Sequence, residues 1–513
     1  MPPTTAMPAT AAAPATALPR RRPHIVIFNP DQWRGDVLGH MGNSAARTPH
    51  LDRLAATDGV SFRNAACQNT VCTPSRCSFL TGWYPHVRGH RTMYHMLHHE
   101  HGEPMLLHEL KQAGYHVFWG GKNDVVPGQH PRDRYAETWS DRSRYDLQPN
   151  WHGPVYEAAR GRRGDDTYHS FMVGRMEKRP GEAYYHDNDW MHVMEAIRLI
   201  RNPPDDRPLC LYLPLVYPHP PYGVEEPFFS AIDRAALPPR IPAPADWTGK
   251  PSILAGLHRN FNMAGWTEER WTELRATYYG MCMRIDALFG ELLTALRDAG
   301  IYDDTAIFFF ADHGDFTGDY GLVEKTQNTF EDCLSRVPFL VKPPAGVPVR
   351  PRVSDAIVEL VDFSETVYDL VGLDPAYTRF GRSLLPVLAG QTDEHRDASF
   401  CEGGRLRGES QAMELQSEAH NNVDHPYWPR CVLQIEDDPV HLTKAAMCRT
   451  RDYKYVRRLY EQDELYDLRH DPGETRNLAA DPEYAAVLAQ MRERLLTWYQ
   501  ETCDVVPQET DRR

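Results

Sequence analysis

Residues 25–32, IVIFNPDQ, pass from four apolar side chains to polar and turn-forming residues within a few positions. Short runs rich in β-branched or aromatic residues that end in this way are typical of strands buried in a parallel sheet. Residues 25–28 are therefore predicted to form such a strand. Asp31 would then lie just beyond its carboxyl end.

Three further runs end in the same manner. They are residues 115–119 (YHVFW) before GGKND, residues 209–213 (LCLYL, continuing to Val216) before YPHPP, and residues 306–310 (AIFFF) before DHGD. In open α/β sheets, ligands bind outside the carboxyl ends of the strands. We therefore expect the polar residues after all four strands to converge on one pocket.

Helical segments fall between these runs. Residues 104–113 end at Gly114, and a long periodic stretch from 267 to 299 ends at Gly300. Glycine is a natural left-handed stop for a helix. The alternation of strands and helices predicts an α/β fold with a doubly wound, mostly parallel sheet.

The pattern changes after about residue 390. Residues 443–450 and 453–458 are predicted to form a hairpin, 465–468 a short strand, and 482–502 an amphipathic helix. We therefore expect a leader at 1–22, a catalytic α/β domain at 23–390 and a smaller α+β C-terminal subdomain at 391–513. Two long polar and aromatic insertions, 131–190 and 403–439, are expected to shape a substrate entrance.

Composition limits the class of protein. The 513 residues are 41% hydrophobic, as in ordinary soluble globular proteins, and no apolar run approaches the length of a spanning helix. The net charge of -15 argues against nucleic acid as a partner.

The leader places its arginines, residues 20–22, after a weakly apolar segment. This order is the reverse of a secretory signal, so we expect a cytoplasmic protein. The ten cysteines of the chain form no disulfide framework. The sequence does not indicate an oligomeric state.

One cysteine has a special position. In residues 72–76, CTPSR, we expect Thr73 to cap a helix that begins at Pro74 and ends before Gly82. Cys72 would then lie at the positive end of the helix, which favours a thiolate and an oxyanionic substrate group. Arg76 would add a positive charge in the first turn.

Residues 72–82, CTPSRCSFLTG, resemble the signature of the formylglycine-dependent (type I) sulfatases, in which a cysteine, any residue, Pro-Ser-Arg and a later Leu-Thr-Gly follow in fixed order. The resemblance implies that a separate formylglycine-generating enzyme oxidises Cys72 to formylglycine. One hydroxyl of the hydrated aldehyde then attacks sulfur and the other helps to expel sulfate. Further segments occur in family order: the Asp31 region, Gly121-Lys122, Pro218-His219, Asp312-His313-Gly314, Lys325, 464–468, Asp471-Pro472 and Asn477-Leu478. The family implies an alkaline phosphatase-like fold.

A site for one divalent metal ion is expected from residue types and from the resemblance. Asp31, Gln32, Asp312 and His313 would bind it together with the modified Cys72. Many sulfatases have Asp where this chain has Gln32, and Asn where it has His313. An imidazole in place of an oxygen ligand moves the expectation from Ca2+ towards Mn2+, although both stay open. The Asp-Gln and Asp-His pairs also resemble the branch that contains phosphonate monoester hydrolases.

The resemblance also implies roles for the remaining charged residues. Arg76 is expected to hold the geminal diol, and Lys122 and Lys325 to complement the charge on the substrate oxygens. His219 is expected to protonate the leaving oxygen, because an imidazole carries a proton near neutral pH.

One family residue is missing. A histidine commonly stands where this chain has Asp124. Either His86, His90 or a histidine of the segment 95–101 assists the nucleophile instead, or the chemistry of the aldehyde is adjusted in another way. The segment 95–101 could also bind a second metal, but we interpret it as a polar loop because no ligand geometry can be read from it.

Hydrolysis of an aryl or carbohydrate sulfate ester is the leading functional expectation. The first alternative is a phosphonate monoester or phosphodiester hydrolase that uses the same site. The second is an inactive binding homologue in which Cys72 stays a thiol and the loss at Asp124 is disabling.

Overall fold

The computed structural model describes residues 22–435, 439–510 and 512. The predicted leader lies outside these residues except for Arg22. The strands are β1 (His24–Asp31), β2 (Val60–Ala66), β3 (His116–Trp119), β4 (Thr138–Trp139), β5 (Met172–Met176), β6 (Leu209–Pro218), β7 (Tyr222–Glu225), β8 (Thr305–Phe310), β9 (Phe339–Lys342), β10 (Arg352–Glu359), β11 (Ser399–Gly403), β12 (Ala445–Arg449), β13 (Tyr453–Arg458) and β14 (Glu464–Asp467).

The α-helices vary from single turns to one helix of 31 residues. They are α1 (Pro49–Thr57), α2 (Cys72–Thr81), α3 (Pro85–Arg88), α4 (Leu106–Gln112), α5 (Tyr156–Ala159), α6 (Asn188–Arg201), α7 (Ser252–Phe261), α8 (Glu268–Asp298), α9 (Asp332–Ser335), α10 (Val361–Val371), α11 (Leu385–Leu388), α12 (Trp428–Cys431) and α13 (Ala485–Thr502). Among the described residues, none of these helices combines the length and the apolar character needed to cross a membrane.

The core is an eight-stranded sheet in the order β10-β2-β9-β8-β1-β6-β3-β4. The four strands predicted from sequence, β1, β3, β6 and β8, are adjacent in this sheet and parallel to one another. Only β9 runs against its neighbours β2 and β8, among the described strands of this sheet. The predicted doubly wound, mostly parallel α/β fold is confirmed.

Helices cover both faces of the sheet, and the phenylalanines of β8 show how. The ring of Phe309 packs against Phe289 of α8, with centroids 5.3 Å apart. Its neighbours Phe308 and Phe310 pack instead against Phe363 of α10, at 5.0 and 4.8 Å. Successive side chains of a strand point to opposite faces, so α8 and α10 lie on opposite sides.

The carboxyl ends of the central strands meet at one edge, as predicted. Asp31 of β1 lies opposite Pro218 of β6, after an irregularity in the pairing that follows Asn29. His219 comes directly after β6, and Asp312 two residues after the end of β8. This edge therefore carries the candidate site.

The small sheet is antiparallel, in the order β11-β12-β13-β14, and contains the predicted hairpin. Helix α13 packs on it through Trp498, whose ring stacks on Phe400 with centroids 4.6 Å apart. Tyr84 and His86 of the large domain also contact Trp498, each at 5.0 Å. This α+β unit is therefore packed directly against the catalytic core.

Candidate active site

Four side chains that can bind a metal converge at the sheet edge. Asp31, Cys72, Asp312 and His313 each offer one ligand atom, and these atoms all lie within 4.8 Å of one another. All four residues are buried. Strands β1 and β8 and the start of α2 bring together residues that are up to 282 positions apart in the chain.

Helix α2 begins at Cys72, two residues earlier than predicted. Cys72 is its first residue, and extended Val71 precedes it without a side-chain cap. Thr73 therefore does not cap the helix; its hydroxyl donates instead to the carbonyl of Met93, at 3.2 Å. The predicted end is correct, because Gly82 follows the helix with a φ of 74°.

The environment of Cys72 opposes a thiolate, contrary to the expectation from the helix end. Burial and then the negative charge of Asp31 raise the pKa of the Cys72 thiol, despite the opposing effect of Lys122. The Sγ atom lies 3.2 Å from Nε2 of His313 and 3.5 Å from Oδ1 of Asp31. At this position desolvation outweighs the helix dipole.

Arg76 is fully buried and supports the acidic residues. Its guanidinium donates to Oδ2 of Asp31 at 3.0 Å, to Oδ2 of Asp312 at 2.9 Å and to Oδ1 of Asn29 at 3.1 Å. These contacts fix both carboxylates relative to α2. The predicted contact of Arg76 with a geminal diol stays a prediction.

The protonation of His313 suits a metal ligand. Its Nδ1 lies 2.9 Å from the carbonyl oxygen of Gly314, to which it donates, so Nε2 presents a lone pair towards Cys72 and Asp31. Burial lowers the pKa of His313, which keeps the ring neutral. Burial also opposes ionisation of Asp31, but the positive charges of Lys122 and Arg76 offset it and hold the pKa of that carboxyl well below its usual range.

Gln32 joins two charged residues through its side-chain amide. Nε2 donates to Oδ2 of Asp315 at 2.6 Å, and Oε1 accepts from Nζ of Lys325 at 2.7 Å. An amide can donate and accept at once, whereas an aspartate here would face the carboxylate of Asp315. These contacts explain the glutamine without a metal, and its role as a ligand stays a prediction.

Lys122 reaches the cluster from the loop after β3. Its Nζ lies 2.6 Å from Oδ2 of Asp31 and 3.8 Å from Sγ of Cys72. Asp124, which replaces the family histidine, lies 2.9 Å from the same Nζ. Asp124 therefore anchors Lys122 beside Cys72.

Lys325 and His219 form a buried pair. Nζ of Lys325 lies 2.7 Å from Nε2 of His219, whose Nδ1 lies 2.5 Å from the carbonyl oxygen of Pro220. Burial and then the charge of Lys325 lower the pKa of His219 well below its usual value. His219 is thus neutral near pH 7, and the reason given for its predicted role is wrong: it carries no extra proton of its own. The role in leaving-group protonation belongs to the pair and stays a prediction.

Two of the histidines proposed to replace the missing one, His86 and His90, are engaged elsewhere. His86 lies 2.6 Å from Glu402 and 2.8 Å from the carbonyl of Thr502, through its two ring nitrogens. His90 uses both of its nitrogens on the carbonyl of His95 and on Glu103. Neither ring is available to the nucleophile.

His152 takes a place in the site that the sequence did not indicate. Its ring lies 5.5 Å from that of His219, and its Nε2 is buried without a hydrogen-bond partner among the described residues. Burial and then the charge of Lys122 lower the pKa of His152 to about 3. His152 lies in a long insertion with no recognisable motif, so no sequence signal singled it out.

Both long insertions contribute to the walls of the site. Trp151 of the first insertion contacts Tyr217 with ring centroids 4.5 Å apart. Tyr427 of the second lies 6.3 Å from His219, edge to face. Both insertions thus place aromatic rings beside the end of β6, and their predicted contribution to a substrate entrance stays a prediction.

Comparison with protein families gives two matches. Residues 23–373 match the family model described as Sulfatase. Residues 435–501 match the model described as N-sulphoglucosamine sulphohydrolase, C-terminal. The two matches together span the large sheet and most of the small one.

Individual proteins are similar over nearly the whole chain. The multifunctional alkaline phosphatase superfamily protein PehA of Trinickia caryophylli is 26% identical, covering 93% of this chain and 95% of the relative. The choline-sulfatase of Rhizobium meliloti (strain 1021) is 27% identical, covering 96% and 90%. The crystal structure of the phosphonate monoester hydrolase of Agrobacterium radiobacter has a TM-score of 0.72 at 24% identity, covering 95% of this chain and all of that one.

Proposed function

The chain belongs to the sulfatase family of the alkaline phosphatase superfamily, and on this premise we propose that Cys72, converted to formylglycine, is the nucleophile with which it hydrolyses sulfate esters. The protein is a sulfuric ester hydrolase. One observation carries the assignment of the nucleophile. Cys72 opens α2 within the cluster formed by Asp31, Asp312 and His313.

The donor set of the cluster fits a divalent metal ion. Two carboxylates and a neutral imidazole with its lone pair directed inwards are suitable ligands, and residue 72 completes the group. When bound, the ion would supply positive charge that holds the substrate oxygens and makes the sulfur more electrophilic. The imidazole supports Mn2+ over Ca2+, with Gln32 as a further oxygen donor.

We propose that a separate formylglycine-generating enzyme makes the aldehyde during maturation. When present, the hydrated aldehyde supplies one hydroxyl that attacks sulfur and a second that releases sulfate. Nζ of Lys122 lies 3.8 Å from Sγ of Cys72, so its charge would neutralise a sulfate oxygen bound there. Arg76 holds Asp31 and Asp312 in place through its contacts with both carboxylates.

The leaving oxygen needs a proton when the sulfur–oxygen bond breaks. We assign this proton to the buried pair of Lys325 and His219, in which the ammonium proton is shared with Nε2 at 2.7 Å. Burial opposes the charge of Lys325, but the negative charges of Glu324 and Asp31 raise its pKa, so the pair carries one excess proton at neutral pH. A proton held between two buried bases is available without exchange with bulk water.

The walls of the site support a substrate with a ring or another compact apolar group. Trp151, His152 and Tyr427 place aromatic surfaces around His219. Aromatic side chains pack on aryl groups and on sugar rings. A small-molecule or saccharide sulfate is therefore the proposed substrate class.

Mass spectrometry of residue 72 tests the nucleophile. The protein would be produced in its native host or with a formylglycine-generating enzyme. Trypsin cuts after Arg63 and Arg76, and the resulting peptide contains both Cys67 and Cys72. We expect the aldehyde at residue 72 and an unchanged thiol at Cys67, which is the internal control. Active enzyme with only thiol at Cys72 would refute formylglycine.

Substitution in α2 provides the matching activity test. Cys72→Ala should abolish turnover and leave the fold intact, because a small side chain is removed. Cys77→Ala, in the same buried helix, should retain both modification and turnover. Turnover by Cys72→Ala would contradict the assignment.

A phosphonate or phosphodiester substrate is the second candidate. It is favoured by the pairs Asp31-Gln32 and Asp312-His313, and a phosphonate monoester hydrolase is among the solved structures of the same fold. The values of kcat/KM for an aryl sulfate, a phosphonate monoester and a phosphodiester, measured on one modified preparation, separate the two. Sulfate hydrolysis as the main activity is rejected if its kcat/KM is the lowest by orders of magnitude.

A further inference from the structure

A second group of possible metal ligands lies on the surface, away from Cys72. His98, His99, Glu100 and His101 lie in or next to the short helical turn at 99–101, which precedes α4. His130 reaches them from the loop after β3. We call these five residues the surface histidine cluster.

The side chains of this cluster converge on one carboxylate. Oε1 of Glu100 lies 2.9 Å from Nδ1 of His98 and 3.1 Å from Nε2 of His130. Oε2 lies 3.3 Å from Nδ1 of His99. The trio His98, Glu100 and His101 and the trio His99, Glu100 and His130 each have ligand atoms within 4.8 Å of one another.

These separations suit a small tetrahedral ion. With zinc bonds of about 2.0–2.1 Å, ligand atoms in a tetrahedral site are about 3.3 Å apart. The observed contacts to Glu100 are 2.9–3.3 Å before any ion is present. Small side-chain rotations would therefore complete the coordination.

We propose that the surface histidine cluster binds one transition-metal ion of the zinc class. Several imidazoles with one carboxylate favour Zn2+, Ni2+ or Cu2+ over Ca2+ or Mg2+, which prefer all-oxygen sites. The site is distinct from the cluster at Cys72, because it shares no residue with it. It needs no substrate and does not depend on the proposed reaction.

The simplest competing interpretation is a set of ion pairs between protonated histidines and Glu100. The rings themselves argue against it. His98 lies 5.1 Å from both His101 and His130, and His99 lies 4.8 Å from His130. Several imidazolium ions at these distances would repel one another around a single carboxylate, whereas neutral rings around a metal would not.

A bound ion would also stabilise a segment that contacts the active site. The amide of Leu97, adjacent to His98, donates to the carbonyl of Val125 at 2.8 Å, three residues from Lys122. Earlier in the same segment, the carbonyl of Met93 accepts from Thr73, the neighbour of Cys72. The cluster thus adjoins both the Lys122 loop and the start of α2.

Zinc chloride, titrated against a chromophoric chelator, tests the site on the full-length chain after removal of metal. His313→Ala removes the imidazole from the cluster at Cys72, so zinc binding that is lost when the surface residues are changed in this background reports on the surface. Three further variants are made in that background. They are the double variant His98→Ala/His130→Ala, the single variant Glu100→Gln, and the control His108→Ala. His108 is a neighbouring histidine outside the cluster, with Nδ1 3.1 Å from the carbonyl of Arg134.

We expect the His313→Ala protein to bind one zinc ion per chain. The double change and Glu100→Gln should each weaken binding at least about tenfold, while His108→Ala leaves it unchanged. Cobalt(II) should give the visible absorption of a tetrahedral site that the double change removes. The proposal is overturned if the His313→Ala protein binds no zinc, or if the cluster variants bind it as tightly as the control. Glu100→Gln retains all the rings, so it gives a result even if the double variant does not fold.

Discussion

Nζ of Lys325 lies 2.7 Å from Nε2 of His219, and the same Nζ lies 2.7 Å from Oε1 of Gln32 and 2.9 Å from Oε1 of Glu324. The ammonium group thus donates two hydrogen bonds, to the imidazole and to the amide oxygen, and forms an ion pair with Glu324. Lys325 is consequently held in one position, with an N–H of its ammonium group directed at the imidazole of His219.

Removal of this ammonium group should impair departure of poor leaving groups most. Lys325→Met keeps the apolar stem, and we expect kcat to fall by about 10²–10⁴-fold on an alkyl sulfate and much less on 4-nitrophenyl sulfate, whose phenolate leaves without a proton. Steady-state kinetics on both esters measure the difference. Lys342→Met is the control, since Lys342 is a buried lysine that donates to the carbonyls of Tyr302 and Thr305. An equal loss on both esters would argue against proton donation.

Gln32→Glu separates the two interpretations of Gln32. A glutamate would place a carboxylate 2.6 Å from that of Asp315, where the amide now donates, so the metal-free protein should lose about 1–3 kcal/mol of stability. If residue 32 also binds the metal, divalent affinity should rise with the added charge.

Thermal unfolding with and without Mn2+ measures both effects of Gln32→Glu. Gln68→Glu is the matched control, because Nε2 of Gln68 lies 3.5 Å from the buried carboxylate of Glu359 outside the site. It should destabilise the protein without changing metal affinity. Unchanged or weaker Mn2+ binding by Gln32→Glu would remove Gln32 from the ligand set.

His152→Ala tests whether this ring replaces the missing histidine. If the neutral imidazole accepts a proton from the nucleophile, kcat should fall by about 100-fold or more. His186→Ala is the control from the same insertion, where His186 stacks on Trp190 at 3.7 Å. A change confined to KM would show that His152 only lines the entrance.

The contact between His86 and Glu402 should make stability depend on pH. Burial alone would lower the pKa of His86, but Glu402, 2.6 Å from Nδ1, more than offsets this and raises it. Because the folded value is the higher one, the stabilisation is fully present below the unfolded pKa, about 6.5. It is lost as pH rises through the folded value.

His86→Phe keeps the ring contacts and removes the charge. We expect it to cost about 2 kcal/mol at pH 6 and less at high pH, as measured by thermal unfolding of both proteins across this range. His116→Phe, at the start of β3, is the comparison. A constant difference between wild type and His86→Phe at every pH would contradict the assigned role of Glu402.

The fold was predictable from sequence because its central strands are local patterns. Each apolar run in β1, β3, β6 and β8 ends in polar residues within a few positions, and parallel strands place those ends at one edge. The edge position of Asp31 and Asp312 follows directly. The helix that begins at Cys72 was also predictable from Pro74 and Gly82, to within two residues.

Features that depend on burial were not predictable in the same way. The helix end at Cys72 suggested a thiolate, but the depth of the site determines the pKa instead. Arg76 was expected to hold the geminal diol, and its observed donors are directed at Asp31 and Asp312. His152 is brought to the site by the tertiary path of an insertion, which no local pattern encodes.

Every residue of α2 is buried, and Cys72 is only 1% exposed. A modifying enzyme cannot bind a cysteine side chain that the folded chain encloses on all sides. The proposed oxidation must therefore take place on the nascent or unfolded polypeptide, before α2 packs between its neighbours. Oxidation of Cys72 would therefore compete with folding. A molecule that folds before it is oxidised would keep its thiol, and the ratio of the two rates would set the active fraction of a preparation.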